Sequence, residues 1–312
     1  MFGKSFYYTI SCLIAYFPSF GQQPEHSKTE KEFHVHKRIL SCRIDDNIRE
    51  SSGLVYFDHG LWTLNDGGNP AELYEIDSIS GKILKSVFVK NATNNDWEAL
   101  AQDDSYLYIG DFGNNFGNRK NLQILKIVKK DLVKDTVIAE HIKFAYEAQS
   151  NFQLTMNSHN FDCEAFCAIG DSLFLFSKNW ANLKTYVYVL PKSPGNFMVN
   201  IVDSFDTRGL ITDADYNMEN KTLVLLGYDI KKFSMHSFLW IFRDFKETKF
   251  FSGKKQRVKL HLFLKQTEAV AHQGNLHYYF TNERIQRSFV VIRQKLYRLK
   301  LKYKKEISVR EN

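Results

Sequence analysis

The chain has 312 residues, 44% of them hydrophobic and 15% aromatic, with only 5 prolines; that is ample material for a large core and excludes a disordered or linker-built protein. Lys and Arg number 42 against 35 Asp and Glu, a formal net charge of +7. Much of that excess lies in Lys254 to Lys259 and Arg284 to Lys305, so it reads as local edge-strand charge rather than a basic surface.

The chain opens on a positive residue, Lys4, followed by a mostly apolar run from Phe6 to Phe17 and then Ser19-Phe20-Gly21, small residues at the positions a signal peptidase reads. This predicts a secretory signal peptide over residues 1–21, cleaved after Gly21. The run is too short to span a bilayer comfortably, and lipidation at Cys12 lacks a Leu three positions earlier. The mature chain is therefore expected to be secreted or periplasmic, with no transmembrane segment. For an exported chain without a reader motif, no nucleic-acid partner is expected.

Residues 22–32 read as a polar spacer, and His34 to Ile44 as an isolated strand with no partner before it. Four strands follow, Ser52 to Phe57, Gly60 to Leu64, Ala71 to Ile76 and Ile83 to Val89, separated by turn signals such as Asp58-His59-Gly60 and Asn65-Asp66-Gly67-Gly68. A second set runs from Trp97 to about Ala145. The third is predicted at Cys163, Ser172 to Ser177, Thr185 to Leu190 and Phe197 to Phe205, and the fourth at Ala214 to Asn217, Thr222 to Gly227, Ser237 to Phe242 and Val258 to Leu264. The fifth has only Ala269 to His272, Leu276 to Thr281 and Leu296 to Leu301.

Each set begins with a related phrase: Ser51-Ser52-Gly53-Leu54-Val55, Asp96-Trp97-Glu98-Ala99-Leu100, Asp162-Cys163-Glu164-Ala165-Phe166, Asp213-Ala214-Asp215-Tyr216 and Thr267-Glu268-Ala269-Val270. Self-similarity at the length of one four-stranded sheet predicts an all-β fold, a β-propeller over residues 33–305 with a tail at 306–312. Five blades are expected, or six if the stretch from Lys129 to His159 hides another. The orphan strand at the start would complete the three-stranded fifth blade and close the ring.

The strings Ser52-Gly53-Leu54, Leu61-Trp62-Thr63-Leu64-Asn65-Asp66-Gly67-Gly68-Asn69-Pro70, Asn95-Asp96-Trp97-Glu98-Ala99-Leu100-Ala101 and Tyr108-Ile109-Gly110-Asp111-Phe112-Gly113-Asn114-Asn115 resemble a group of secreted, largely uncharacterised bacterial β-propeller proteins. More distantly the chain is similar to SdiA-regulated and esterase-like phytase propellers, which also carry acidic phrases at the head of each blade. The resemblance implies fold and export. It attaches no agreed reaction.

If each phrase opens an innermost strand, Glu98, Glu164, Asp215 and Glu268 converge on one axis, where like charges call for a cation or a basic ligand. Asp96, Glu98, Asp162, Glu164, Asp213, Asp215 and Glu268 are the candidate ligands of a divalent cation such as calcium, which takes six to eight oxygens. Asn65, Asp66, Asp111, Asn114 and Asn115 could add oxygens or contact a polar ligand. The alternative is that these carboxylates accept backbone N–H bonds and hold neighbouring blades in register. No Gly-Xaa-Ser-Xaa-Gly elbow occurs, and the histidines, among them His159, His272 and His277, are scattered. Cys42, Cys163 and Cys167 are odd in number, and Cys163 and Cys167, about 13 Å apart along one strand, cannot bridge. The function expected is a binding or interaction module at the cell envelope, with a polar ligand, glycan or protein as partner; the alternative is a metal-dependent hydrolase of phosphoesters or lactones.

Overall fold

Turn chemistry sets the rhythm of this chain. Asp58 and His59 both adopt positive φ, 46° and 64°, the two-residue hairpin geometry whose twist matches the strands it joins. The computed structural model describes residues 33–35, 40–231, 234–263, 266–287 and 290–303. The predicted leader at 1–21, the spacer at 22–32 and the tail at 306–312 lie outside the described residues.

The strands form five antiparallel blades. Blade 1 is Ser51–Phe57, Gly60–Asn65, Glu72–Ile76 and Ile83–Val89, and blade 2 is Trp97–Gln102, Tyr106–Asp111, Gln123–Val128 and Glu140–Tyr146. Blade 3 is Cys163–Ile169, Ser172–Ser177, Thr185–Pro191 and Asp203–Phe205, and blade 4 is Leu210–Asn217, Thr222–Lys231, Ser234–Arg243 and Lys254–Phe263. Blade 5 is Thr267–Gln273, His277–Asn282 and Lys295–Tyr303. Two short N-terminal strands register on its last strand: Leu40–Arg43, with Cys42 opposite Leu296, and Phe33–Val35, with Val35 opposite Leu301.

The stretch from Lys129 to His159 holds no sixth blade. Glu140–Tyr146 is the fourth strand of blade 2, and Thr136–Val137 pairs in parallel with the outer strand of blade 1. The expected strand from Phe197 to Phe205 divides in the same way. Gly195–Val199 pairs in parallel with Glu140–Tyr146 of blade 2, and only Asp203–Phe205 closes blade 3. Phe197 and Val199 pack into the core between blades 2 and 3, so apolar alternation is satisfied on either sheet and cannot choose between them.

The core is divided among the blade interfaces. Trp97 and Leu107 pack against Trp62 and Leu73 between blades 1 and 2, and Phe112 and Phe144 against Phe166 and Tyr188 between blades 2 and 3. Phe174 and Phe176 meet Trp240 and Phe250 between blades 3 and 4, and Val224 and Leu239 meet Phe280 and Tyr297 between blades 4 and 5. Leu54 and Tyr74 pack on Tyr279 and Leu296, so blade 5 seats on blade 1. A hydrogen bond from Ser51 Oγ to Thr281 Oγ1, 3.1 Å, crosses the same interface. The three cysteines among the described residues, Cys42, Cys163 and Cys167, are free thiols, with Cys163 and Cys167 buried. The basic strand Lys254–Phe263 is the outer edge of blade 4, with Lys255 and Lys259 exposed and Val258 and Leu260 buried.

Phe280 is fully buried and stacks on Tyr297 at 4.8 Å. Phe280→Ala is expected to lower the unfolding free energy by about 3–5 kcal/mol, the cost of an aromatic-sized cavity, as measured by urea denaturation; a change below about 1 kcal/mol would mean that the interface between blades 4 and 5 does not carry the fold.

Candidate metal centre on the propeller axis

One irregularity recurs in every blade. The first strand shifts register against the second at the same place, leaving one extra residue: Ser52 in blade 1, Glu98 in blade 2, Glu164 in blade 3, Thr212 in blade 4 and Glu268 in blade 5. A bulge of this kind re-aims a side chain out of the pleat. All five are buried. Glu98 senses the charges of Glu164 and Asp66, Glu164 that of Glu268, and Glu268 that of Asp66, across blade boundaries, as side chains at the heads of the innermost strands of a closed ring do. One residue past the partner of the pre-bulge position stand Asp66, Phe112, Lys178, Tyr228 and Glu283; Phe112 packs in the core between blades 2 and 3.

The centre has two halves. On one side, Lys178 Nζ pairs with Glu164 Oε1 at 2.6 Å, both side chains about 4% exposed or less. Burial would pull the Lys178 ammonium down, but Glu164, Tyr228, Glu268 and Asp162 outweigh it and hold the group well above the usual lysine range. Its charge also reaches Asp66, Asp96, Glu98, Glu268 and Glu283, where burial outweighs it. On the other side, one carboxylate oxygen from each of Asp66, Asp96 and Glu98 lies within 4.8 Å of the others, an arrangement that could hold a metal ion. Glu98 receives a hydrogen bond from Ser52 Oγ at 3.2 Å, and Arg119 Nη1 stands 4.0 Å from Asp96.

Two glycines make room for this cluster. A Cβ at Gly67 would sit 2.5 Å from Asp96 Oδ1, and one at Gly113 would sit 2.5 Å from Asp96 Oδ2 and overlap Glu98 Oε1. Across the axis, Glu268 is 3% exposed and its Oε1 has no hydrogen-bond partner among the described residues.

Crowding shows in the protonation equilibria. Burial first, and then Asp96, push the Asp66 carboxyl up to about 7; burial pushes Asp96 up to about 6 against the pull of Arg119. Burial and the charge of Asp66 push Glu283 up to about 8, and burial drives Glu98 and Glu268 well above the carboxylate range. With no cation bound, these groups keep protons in the folded chain that the unfolded chain releases near about pH 4. Between that value and about 7, where Asp66 titrates, the folded state holds more protons, so stability falls as pH rises.

The remaining predicted ligands are engaged elsewhere. Asp111 accepts from Asp96 N, Asn95 Nδ2, Gln123 Nε2 and Arg119 Nη2, the last at 2.8 Å. Asp162 accepts from Asn114 N at 2.7 Å and Trp180 Nε1 at 2.8 Å, tying blade 2 to blade 3. Asp213 accepts from Val270 N at 2.7 Å and Ala214 N at 2.8 Å, and Asp215 accepts from His272 N at 2.9 Å. These two acids hold the first strand of blade 5 in register with blade 4. The axial position of blade 4 belongs to Thr212, whose hydroxyl donates to Thr267 O at 2.7 Å. Asn65 bridges Glu50 N and Asn47 O; Asn114 caps Arg119 N and donates to Phe161 O; the carbonyl of Asn115 accepts from Asn157 N at 3.1 Å. The Gly110 to Arg119 loop is thus an ordered turn that contributes to the cluster the Arg119 guanidinium and the space left at Gly113.

Sequence reasoning missed Lys178, Glu283, Tyr228, Ser52 and Thr212. The acidic phrase drew attention to Asp213 and Asp215, although Ser51-Ser52 and Ile211-Thr212 occupy the register of Trp97-Glu98. Lys178 and Glu283 stand where Asp66 does, directly after the second strand, a periodicity the sequence does contain.

No family model matches the chain, and no curated protein does. Among solved structures it is similar to a protein of unknown function from Dyadobacter fermentans DSM 18053, at 8% identity and a TM-score of 0.44, covering 80% of this chain and 67% of that one.

The two classes of carboxylate are expected to respond oppositely to neutralisation. In chelator at about pH 8, Asp213→Ala should cost about 1–3 kcal/mol by orphaning two buried N–H groups, whereas Glu98→Gln should leave stability unchanged or raise it by relieving like-charge repulsion. Equal losses in both would contradict the division. The chelated wild type should also melt at lower temperature at about pH 8 than at about pH 5; a melting temperature that rises over that interval would show that the axial acids do not hold protons in the folded state.

Proposed function

We propose that this chain is an exported binding module whose axial half-ring of Asp66, Asp96 and Glu98 holds a divalent cation, calcium by fit. The observation that carries the reading is the cradle: three carboxylates share one small space that Gly67 and Gly113 leave open. Oxygens on opposite sides of a calcium ion bonded at about 2.3–2.6 Å stand about 4.6–5.2 Å apart, which the spacing of at most 4.8 Å accommodates. Lys178 pairs directly with Glu164 and only attenuates the charge of Asp66, Asp96 and Glu98, so the ion fits the half that has no direct ammonium partner.

Three carboxylates leave part of a calcium shell to water or to the oxygens of a ligand. Asp96, with its side chain 25% exposed, marks the accessible side. A polar ligand, glycan or protein surface presenting oxygens is the partner this supports. The leader-like residues 1–21 support export to the cell envelope, and no helix among the described residues is long and apolar enough to cross a membrane. The distant likeness to SdiA-regulated and esterase-like phytase propellers rests on the motif residues alone. The same accessible side supports a second reading, a metal-dependent hydrolase of phosphoesters or lactones, in which Glu98 rather than Lys178-bound Glu164 would accept the proton.

Because the ligating groups must lose protons, affinity should rise with pH through the range in which Asp96 and Asp66 titrate, about 6 and about 7. Calcium is expected to raise the melting temperature of the chelated wild type, more at about pH 8 than at about pH 6, and to have no effect on an Asp96→Asn, Glu98→Gln double variant. An equal calcium shift in both proteins would place the ion elsewhere, and no shift in either would overturn the metal reading. Turnover of a phosphoester or lactone panel that Glu98→Gln abolishes would favour the hydrolase.

A further inference from the structure

The opposite end of the axis is built differently. The first strands that begin at the acidic centre run on past it: Gln102 lies four residues beyond Glu98, about 13 Å along the strand. There a cavity of about 280 Å³ opens, lined by first-strand residues from all five blades, including Val55, Leu100, Phe166, Ala214 and His272. None of the predicted metal ligands except Asp215 reaches it.

The polar anchor of this cavity is a histidine held by a carboxylate. His272 Nδ1 lies 2.7 Å from Asp215 Oδ2, with the side chains 23% and 15% exposed. Asp215 also accepts from the backbone N of His272, so one carboxylate holds both the ring, through Nδ1, and the backbone of this residue, and Nε2 has no hydrogen-bond partner among the described residues. Burial pulls the imidazolium down, but the charge of Asp215 and the hydrogen bond to it together hold His272 above the usual histidine range. Around it, the charged groups on the neighbouring turns are Asp103, Asp104, Lys129 and Glu219. Asp103 is satisfied by Lys192 and Tyr108, both at 2.8 Å, and Lys129 by Gln102 at 2.7 Å. The carboxylates of Asp104 and Glu219 have no partner among the described residues.

We propose that this cavity is a second ligand site, distinct from the acidic centre, that takes a small uncharged polyol of monosaccharide size. An anion would face Asp104, Asp215 and Glu219, and an ammonium would face His272 and Lys129. A hydroxyl meets every group present, because it donates to the Asp104 and Glu219 carboxylates and either donates to or accepts from His272 Nε2. The accessible apolar lining, Phe57, Tyr216 and Met218, suits the C–H face of a sugar ring. A volume of about 280 Å³ is at the small end of ligand pockets and leaves no room for an embedded chain.

The test is an NMR titration of the full chain in chelator, following the backbone amide resonances of Met218 and Gly274, which line the cavity and are present in every variant, while glucose, galactose, N-acetylglucosamine and myo-inositol are added, with choline and inorganic phosphate as the charged comparators. A saturable shift is expected with at least one polyol, and His272→Gln and Glu219→Gln should each weaken it about tenfold, the loss of one ligand hydrogen bond. Glu219 is exposed, so its variant keeps the test valid if the His272 variant does not fold. Glu98→Gln should leave the polyol affinity unchanged. No shift with any polyol, a shift with choline or phosphate alone, or an affinity that survives both cavity variants or falls with Glu98→Gln would overturn the proposal. Because chelator is present throughout, failure of the calcium reading leaves this outcome unaffected.

Discussion

Everything distinctive about this propeller follows from one register shift repeated at the head of each innermost strand. A bulge there delivers one side chain per blade to the axis, and the residue type at that position decides what the axis becomes. Two blades supply hydroxyls, Ser52 and Thr212, and three supply carboxylates, Glu98, Glu164 and Glu268. With Asp66, Asp96 and Glu283 added, negative charge converges on a space containing one ammonium, Lys178. Burial forbids all of these acids from being ionised together without compensation. They hold protons, or they hold a cation.

The acids of this chain do two kinds of work, and hydrogen bonding separates them. Asp111, Asp162, Asp213 and Asp215 are filled by N–H donors, and the last three bind groups of an adjoining blade. They are the side chains that let neighbouring sheets find a fixed offset, a requirement that hydrophobic packing alone satisfies loosely. Asp66, Asp96, Glu98 and Glu268 have fewer such donors, and burial drives their carboxyls up, as it also does that of Asp213, which its two N–H bonds pull back only in part. Arg119 stands between the classes, committed to Asp111 at 2.8 Å and reaching Asp96 at 4.0 Å.

The architecture was legible because period-2 alternation and turn residues recur at the length of a blade, and the equivalence of Glu98, Glu164 and Glu268 was visible in their shared Glu-Ala pair. The assignment of Asp215 to the same ring was not sound: chemical similarity suggested alignment with Glu98, whereas the bulge lies at Thr212. Residue type and register are independent variables, and a sequence shows only the first directly. For the same reason the strand expected from Phe197 to Phe205 in blade 3 divides, and its first part stands within Gly195–Val199 on blade 2; its apolar face can be buried on either. Lys178 escaped notice because a lysine after a strand normally reads as solvated, and only the convergence of five blades removes the water around it. The His272 and Asp215 pair joins residues 57 apart in sequence, and no local pattern announces it.

The exchange of protons for a cation proposed at Asp66, Asp96 and Glu98 is directly measurable. Calorimetric titration of calcium into the chelated chain, repeated near pH 6.5 in two buffers of different ionisation enthalpy, measures the ion and the protons in one experiment. The account predicts about one calcium per chain with net release of protons to the buffer. Binding without proton release, or no binding heat in either buffer, would contradict it.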